Sequence, residues 1–422
     1  MERTLRSRIK AASSSKGVPM RFDFTTIPNR HGHDAIAVDG LGDGTGFSPA
    51  APKEGFDSIP LWVADMSFAT APSVTAAMHV RIDHPYFGYY EASEAYYQAI
   101  IEWHRTRKGV SDLKPEHIGY ENGVLGGVVT ALDVLASPGD NVLVHSPTYV
   151  GFTACCENKG YHLVHSPLVL DDAGVWRMDF EDMERRIVEQ HIHVAIFCSP
   201  HNPCGRVWER DELERAMELF ERHQVYVISD EIWSDLLLDS HTHIPTQSVS
   251  PWAHDHCVAF YAPSKTFNLA GLIGSYGIAY DPWLRDRLNK EASLSHYNAQ
   301  NVVSMHALIG AYSKEGAAWA DELCQVLSDN ARYAFEHIRD CYPGVQCARA
   351  EGTYVLLADC RTWCDEHGVA YADFPRLGWD VGVTWHDGRL FECPGFVRIA
   401  VSVPHAQIVE AFDRLDRHVF GV

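Results

Sequence analysis

Apolar residues along this chain occur in two patterns, short continuous runs and longer stretches with a helical repeat. Four of the short runs predict strands buried on both faces, because their interior positions are all apolar or small. Apolar residues recur at helical spacing in 124–136 and 209–223. Buried strands separated by helices predict a parallel sheet within an α/β layer. The predicted strands are 141–145, 194–198, 225–229 and 257–261.

The pattern changes after about residue 310, which predicts a second, smaller domain. A long helical stretch, 317–342, precedes shorter candidate strands at 353–358 and 396–401. We therefore expect a large domain with a mostly parallel sheet between helices, and a smaller α+β domain. The predicted organisation is an extension at 1–19, an N-terminal segment at 20–70 that packs with the small domain, a large domain at 71–310 and a small C-terminal domain at 311–422.

Composition and charge narrow the class of protein. Hydrophobic residues make up 46% and charged residues 22%, which is typical of a soluble globular protein. The net charge of −21 argues against binding to nucleic acid or to an anionic membrane surface, since both require a surplus of basic side chains. No apolar run approaches the ~20 residues of a membrane span. The basic, Ser-rich residues 1–19 lack the apolar core of a secretory signal, so we expect a disordered extension, with a transit peptide as the alternative.

The cysteines and histidines do not indicate a metal site. Eleven cysteines are scattered without framework spacing, which is typical of reduced thiols in a cytoplasmic enzyme. No two cysteines have the two-residue spacing of a zinc site. Four His-x-His pairs could share one face of a strand, but no pair brings an obvious third ligand, so we expect no metal. These pairs are His31/His33, His191/His193, His241/His243 and His254/His256.

Three polar residues follow three of the predicted strands, where ligands bind in open α/β sheets. A buried Lys265 would lose solvation of its charged form, which favours the neutral, nucleophilic amine of a Schiff-base lysine. Asp230 ends an apolar strand and would need a cation such as a pyridinium nitrogen, or would cap the next helix. Asn202 lies in a Pro-rich loop, SPHNPCG, and could donate to a phenolate oxygen or simply form a turn. Taken alone, a Ser-Lys such as Ser264-Lys265 is more typical of a surface lysine.

Together these motifs resemble a known superfamily. An Asn-Pro-x-Gly loop, an Asp about thirty residues on and a Ser-Lys about thirty-five residues after that resemble the fold-type-I enzymes dependent on pyridoxal 5'-phosphate (PLP), in the class I/II aminotransferase superfamily. Within it, the chain looks most like the cystathionine β-lyase-like C–S lyases of the MalY/PatB type. Four segments carry that likeness: FDF at 22–24 with NRHG at 29–32, LWVADM at 61–66, HPYFGY at 84–89 and SKTFNLAG at 264–271.

The resemblance implies PLP as cofactor, and it assigns roles around the ring. Lys265 would hold PLP as a Schiff base and act as the general base. Asp230 would pair with the pyridinium nitrogen, and Asn202 would donate to the 3'-oxygen. Tyr149 would stack on the ring, and Trp233 stands where relatives carry Tyr or His near the 3'-oxygen; its indole N–H can donate but cannot accept.

The resemblance also assigns the phosphate and carboxylate contacts. The backbone N–H groups of Val124 and Leu125, with Ser264, would bind the phosphate. Tyr89 would reach the phosphate from a neighbouring subunit, which implies a homodimer with shared active sites. Arg398 would clamp the α-carboxylate of an amino-acid substrate through two hydrogen bonds. The alternatives are core aromatics at Tyr89 and Tyr149, and a surface ion pair at Arg398.

Three further positions depart from the pattern of the superfamily. Ile273 stands eight residues after the lysine, where many aminotransferases carry a phosphate-binding Arg, and this loss agrees with the lyase branch. Ala262 replaces a frequent Ser, and Ser67 replaces an acidic residue common in the lyase motif. The substrate preference is therefore open.

We expect a PLP-dependent C–S β-lyase that converts cystathionine or a related cysteine S-conjugate into a thiol, pyruvate and ammonia. The main alternative is an aminotransferase that uses the same residues and returns the proton to the cofactor instead. A catalytically silent regulatory or binding protein of the same fold is the remote alternative, which the intact Lys265, Asp230, Asn202 and Arg398 disfavour.

Overall fold

The computed structural model of the protein describes residues 20–295 and 298–422. The segment 1–19, predicted to be a disordered extension, lies outside the described residues. Twelve strands among the described residues form two sheets. The strands of the larger sheet are β1 (Ile118–Glu121), β2 (Asn141–Ser146), β3 (His162–Leu170), β4 (Trp176–Met178), β5 (Val194–Cys198), β6 (Tyr226–Asp230), β7 (Cys257–Tyr261) and β8 (Ser275–Ile278).

The larger sheet has the order β1-β8-β7-β6-β5-β2-β3-β4. Its central strands, β7, β6, β5, β2 and β3, are parallel. Antiparallel pairs extend both edges: β8 pairs with β7, β1 pairs with β8, and β4 pairs with β3. Ten α-helices among the described residues accompany this part of the chain. They are α1 (Ile36–Asp39), α2 (Pro72–Ile82), α3 (Glu94–Arg107), α4 (Val124–Leu135), α5 (Val150–Lys159), α6 (Phe180–Glu189), α7 (Arg210–Arg222), α8 (Pro251–His256), α9 (Pro282–Ser295) and α10 (Val302–Ala311).

The central strands are buried on both faces, as their apolar runs predict. Successive residues of a strand point to opposite faces, so Ala195 and Phe197 pack with α6 and α7. Val194 and Ile196 pack on the other side with residues of α4. The amphipathic α7 contributes Leu213, Ala216, Met217 and Phe220 to the first of these two cores.

The smaller sheet is antiparallel and has the strand order β11-β12-β10-β9. Its strands are β9 (Gln346–Cys347), β10 (Val355–Asp359), β11 (His386–Asp387) and β12 (Phe396–Ala400). The accompanying helices are α11 (Lys314–Cys341), α12 (Arg361–His367), α13 (Phe374–Asp380) and α14 (His405–Leu415). The predicted fold class is confirmed: an α/β domain with a mostly parallel sheet and a smaller α+β domain.

The N-terminal segment pairs with residues of the smaller domain. Ile59 N donates to Gly382 O at 2.8 Å, and Ala400 N donates to Leu61 O at 2.8 Å. These bonds bring 61–67 to the junction of the two sheets. The residue bounds of the domains stay a prediction.

The described residues include no helix that is long and apolar enough to cross a membrane. All eleven cysteines lie in the described part of the chain, and each is a free thiol.

Candidate active site

Strand order explains why the predicted residues meet. β7, β6, β5 and β2 are neighbours and run parallel, so their carboxyl ends lie along one edge of the sheet. Lys265 follows β7, Asp230 ends β6, Asn202 follows β5 and Tyr149 follows β2. Four residues that are distant in sequence therefore converge where open α/β sheets bind ligands.

Lys265 is buried in surroundings that lower the pKa of its amine. Its Nζ atom donates to the backbone oxygen of Ala64 at 2.9 Å and lies 5.5 Å from the centre of the Trp233 ring. Burial, and then the charge of Arg398, lower the pKa of Lys265 to about 8, although Asp65 and Asp230 oppose the shift. Roughly a tenth of the amine is therefore uncharged at pH 7, a far larger fraction than at the ordinary pKa of 10.5, and this fraction can act as a nucleophile or general base.

Asp230 is a buried carboxyl group without a close cation. It is 4% exposed, and its Oδ1 atom accepts a hydrogen bond of 3.1 Å from Ile232 N. Burial raises the pKa of Asp230 to about 6, although the charge of Lys265 lowers it. A turn rather than a helix follows Asp230, so the alternative of a helix cap is wrong. A cationic ligand atom would stabilise the ionised form.

The neighbouring Glu231 has a different environment, which the sequence did not reveal. Its carboxylate accepts hydrogen bonds from the Tyr261 hydroxyl at 2.7 Å and Thr246 N at 2.9 Å, and lies 2.7 Å from His243 Nε2. Burial raises the pKa of Glu231, but His243 and these donors outweigh it and hold the pKa at about 2. The two adjacent carboxyl groups therefore differ, because Glu231 is fully satisfied by the protein and Asp230 is not.

Arg398 is a buried cation held by neutral acceptors. It lies on β12, is 2% exposed, and donates from Nη2 to Trp62 O at 2.7 Å and from Nη1 to Asn202 Oδ1 at 3.1 Å. Its Nη2 is also 3.3 Å from His386 Nδ1. Burial lowers the pKa of Arg398 to about 10. No carboxylate of the described residues pairs with it, so the guanidinium can accept an anionic ligand.

His386, another residue that sequence reasoning missed, is neutral beside Arg398. It lies on β11 directly opposite Arg398, and burial, followed by the charge of Arg398, lowers its pKa to about 3. Its Nε2–H donates to Phe47 O at 3.0 Å, which leaves the Nδ1 lone pair for the guanidinium. The imidazole therefore orients Arg398 without adding a competing charge.

Two aromatic side chains line the same edge of the sheet. Tyr149 precedes α5 and packs against Phe152 at 5.4 Å. Burial raises the pKa of Tyr149, and the charges of Asp230 and Arg398 also act on it, so its hydroxyl lies near both. Trp233 is buried beside Lys265 and meets the Tyr354 ring edge-on at 4.7 Å. Sequence reasoning missed Tyr354.

The predicted phosphate-binding groups lie at the start of α4 and after β7. Val124 and Leu125 begin α4, where N–H groups lack partners within the helix. Ser264 and Ile273 line one cleft, and Ile273 is 57% exposed at φ +50, a strained backbone for a β-branched residue. Tyr89 is fully exposed and makes no hydrogen bond or ring contact with any described residue. A single chain thus brings the other predicted residues together but leaves Tyr89 outside.

Comparison with known proteins agrees with this geometry. Residues 57–415 match the family described as aminotransferase class I and II. The cystathionine β-lyase PatB of Bacillus subtilis is 36% identical over 338 residues, which cover 80% of this chain and 84% of that protein. Protein MalY of Escherichia coli is 30% identical over 396 residues, which cover 92% and 96%.

A solved structure extends the likeness to the backbone. Cystalysin of Treponema denticola, whose crystal structure contains a pyridoxal 5'-phosphate cofactor, has a TM-score of 0.87 at 27% sequence identity. That match covers 95% of this chain and 99% of cystalysin. The resemblance inferred from the sequence motifs is therefore confirmed, and the chain belongs to the class I and II aminotransferase family.

Proposed function

We propose that this chain is a PLP-dependent C–S β-lyase that cleaves cystathionine or a related cysteine S-conjugate into a thiol, pyruvate and ammonia. One observation carries the proposal: three buried groups at one sheet edge lack the partners that substrate and cofactor would provide. Asp230 lacks a paired cation, Arg398 lacks a paired anion, and the pKa of the Lys265 amine is lowered to about 8. The names of the two relatives, cystathionine β-lyase PatB and MalY, support the same reaction class.

The residues of the site fit PLP. Asp230 would pair with the ring nitrogen, Asn202 and Trp233 would donate to the 3'-oxygen, and Tyr149 would stack on the ring. The backbone N–H groups at Val124 and Leu125, with the Ser264 hydroxyl, would bind the phosphate. When bound, PLP supplies an electron sink that stabilises a carbanion at the substrate α-carbon.

The protein groups would then control the fate of the substrate. Arg398, oriented by His386 and Asn202, would fix the α-carboxylate and hold the C–H bond at Cα towards Lys265. Lys265 Nζ would remove the proton from Cα. The electron pair left at Cα would expel the thiolate from Cβ, and water would release pyruvate and ammonia.

An aminotransferase is the second candidate, because two more distant relatives are named as aminotransferases. They are aspartate aminotransferase of a Bacillus species, at 24% identity, and glutamate-pyruvate aminotransferase AlaA of Escherichia coli, at 27%. The exposed Ile273, where aminotransferases often carry a phosphate-binding Arg, favours the lyase. Purified protein with PLP should release methanethiol from S-methylcysteine, whereas Lys265→Ala should release none. Failure to release the corresponding thiol from every cysteine S-conjugate tried would contradict the proposal.

The active unit would be a homodimer with shared sites. The exposed apolar residues Tyr86, Phe87 and Tyr89 belong to one segment beside a cleft that Asn298–Val303 also line. Such a patch on a soluble chain favours a protein interface. A partner's Tyr89 could then complete the phosphate site. The free thiols favour work in the reducing cytoplasm.

A further inference from the structure

Tyr354 carries a buried hydroxyl group that the protein leaves without a partner. The residue is 1% exposed, and its hydroxyl forms no hydrogen bond with any described residue. Buried hydroxyl groups nearly always find a partner, because an unpaired one loses its hydration without compensation. A phenylalanine would fill the same space without that penalty. The orphan hydroxyl therefore indicates a ligand rather than a packing role.

The backbone that presents Tyr354 is also unusual. The preceding residue, Thr353, is fully buried and has φ +67, a left-handed conformation that β-branched residues rarely adopt. Two hydrogen bonds hold it there: Thr353 N donates to Leu236 O at 2.8 Å, and Val355 N donates to Thr353 Oγ1 at 3.1 Å. Strain of this kind persists where the surrounding structure imposes it, and it concentrates at ligand-binding positions.

Tyr354 lies in the candidate active site. Its ring meets Trp233 edge-on, and Trp233 in turn lies beside the Lys265 amine. After burial, the charge of Asp65 raises the pKa of Tyr354 and the charge of Arg398 lowers it, so both charges act on the Tyr354 hydroxyl. Burial raises that pKa well above its ordinary value, which keeps the hydroxyl protonated and able to donate.

Arg398 also has a buried hydrogen-bond donor without a partner in the described part of the chain. Its two Nη atoms donate to protein acceptors, but its Nε–H is buried and has no partner among the described residues. Two buried donors, one phenolic and one guanidinium, are thus unsatisfied, and the charge of Arg398 acts on the Tyr354 hydroxyl. A carboxylate has two oxygen atoms and only accepts hydrogen bonds, so it satisfies both.

We propose that Tyr354 binds substrate directly, donating its hydroxyl to the α-carboxylate alongside the guanidinium of Arg398. The inference rests on the proposed function insofar as the substrate is an amino acid, but it does not depend on cleavage of the C–S bond. It makes Tyr354 a determinant of specificity for a free α-carboxylate over an amide or a peptide.

The test uses holoenzyme and two unreactive analogues of S-methylcysteine that lack the amine, 3-(methylthio)propanoate and 3-(methylthio)propanamide. Calorimetry gives the dissociation constant of each. Tyr354→Phe should raise the dissociation constant of the carboxylate analogue by about tenfold or more, as expected for a lost hydrogen bond to a charged group. The dissociation constant of the amide analogue should stay unchanged. Tyr312→Phe, which removes a buried hydroxyl 3.1 Å from the Tyr276 hydroxyl, is the matched control and should change neither.

Folding of the variant is checked separately. Since Tyr354→Phe removes an unpaired hydroxyl, the variant should retain the cofactor content and melting temperature of the wild type, and Tyr354→Leu provides a second apolar replacement. Carboxylate affinity within about twofold of the wild type in either variant overturns the inference, as does equal weakening of carboxylate and amide. Failure of C–S cleavage with an intact carboxylate preference would instead contradict only the proposed function.

Discussion

The guanidinium of Arg398 donates a hydrogen bond of 3.1 Å from Nη1 to the Oδ1 atom of Asn202. This bond joins β12 of the smaller sheet to the loop after β5 of the larger one. Because Oδ1 is occupied by Arg398, the Nδ2 group of Asn202 keeps its hydrogens for another acceptor. One contact thus orients both the proposed carboxylate clamp and the proposed donor to the cofactor.

Asn202→Asp should disable the clamp. The new carboxylate would lie beside Nη1 and pair with the guanidinium, so the substrate carboxylate would lose its partner. We expect KM for S-methylcysteine to rise by about tenfold or more. Asn202→Ala, which removes the amide without adding a charge, is the control and should raise KM less. Equal KM values for Asn202→Asp and the wild type would contradict this relationship.

The raised pKa of Asp230 predicts how the stability of the apoprotein depends on pH. The pKa of Asp230 is raised from 3.8 to about 6, so between these pH values the carboxyl group binds more protons in the folded than in the unfolded apoprotein. The contribution of this group to the free energy of unfolding therefore decreases as pH rises through this range. The loss at pH 7 is about 3 kcal/mol. Asp230→Asn should therefore stabilise the apoprotein at pH 7 and have little effect below pH 4. Urea denaturation of apoprotein from pH 4 to 7.5 measures this difference.

The holoenzyme should behave in the opposite way. With PLP bound, Asp230 has a cation to pair with, so Asp230→Asn should lower cofactor affinity and the stability of the holoenzyme. An Asp230→Asn substitution that destabilises the apoprotein at pH 7 and leaves PLP affinity unchanged would refute the assigned role.

The lowered pKa of Lys265 predicts that its amine is reactive in the apoprotein. Its pKa of about 8, lowered by burial and then by Arg398, should appear as the midpoint of the pH dependence of Lys265 acetylation. Arg398→Met removes a nearby cation and should shift that midpoint upwards. Arg361→Met, at an exposed arginine paired with Asp359, is the control. Peptide mass spectrometry of trace-labelled protein gives the rates. A Lys265 midpoint near the ordinary 10.5 would contradict this account.

Shared active sites predict complementation between two defective subunits. In a hybrid of Lys265→Ala with Tyr89→Ala, one site would contain both intact residues if Tyr89 acts across the interface. An equal mixture should regain about a quarter of the wild-type sites, since about half of the dimers are hybrids with one good site each. Tyr86→Ala, at another exposed tyrosine of the segment, is the control for Tyr89→Ala. Lack of recovery after verified subunit exchange would place Tyr89 outside the site.

Much of the larger sheet could be predicted from the sequence. The structure has β5 and β7 with the predicted bounds, because every residue in these strands is buried and the apolar pattern is unbroken. β3 was not predicted, because His162, His165 and Pro167 interrupt its apolar positions. β8, with the short sequence SYGI, carries too little apolar pattern to be recognised.

Some residues of the candidate site could be predicted from the sequence and others could not. Asp230, Asn202 and Lys265 follow recognisable strands, so their sequence positions already predict that they meet. Ala64 contributes only a backbone oxygen to Lys265, 201 residues away, and a backbone oxygen has no side-chain signature. Tyr354 was missed because its role depends on an unpaired hydroxyl, which only tertiary packing reveals.

The products formed from cystathionine test the central claim most directly. Purified holoenzyme is incubated with cystathionine and a keto acid such as 2-oxoglutarate, and homocysteine, pyruvate, ammonia and glutamate are measured together. The lyase account predicts homocysteine, pyruvate and ammonia in equal amounts, with little glutamate. Glutamate formed in step with the loss of cystathionine, without release of homocysteine, would contradict it and identify the chain as an aminotransferase.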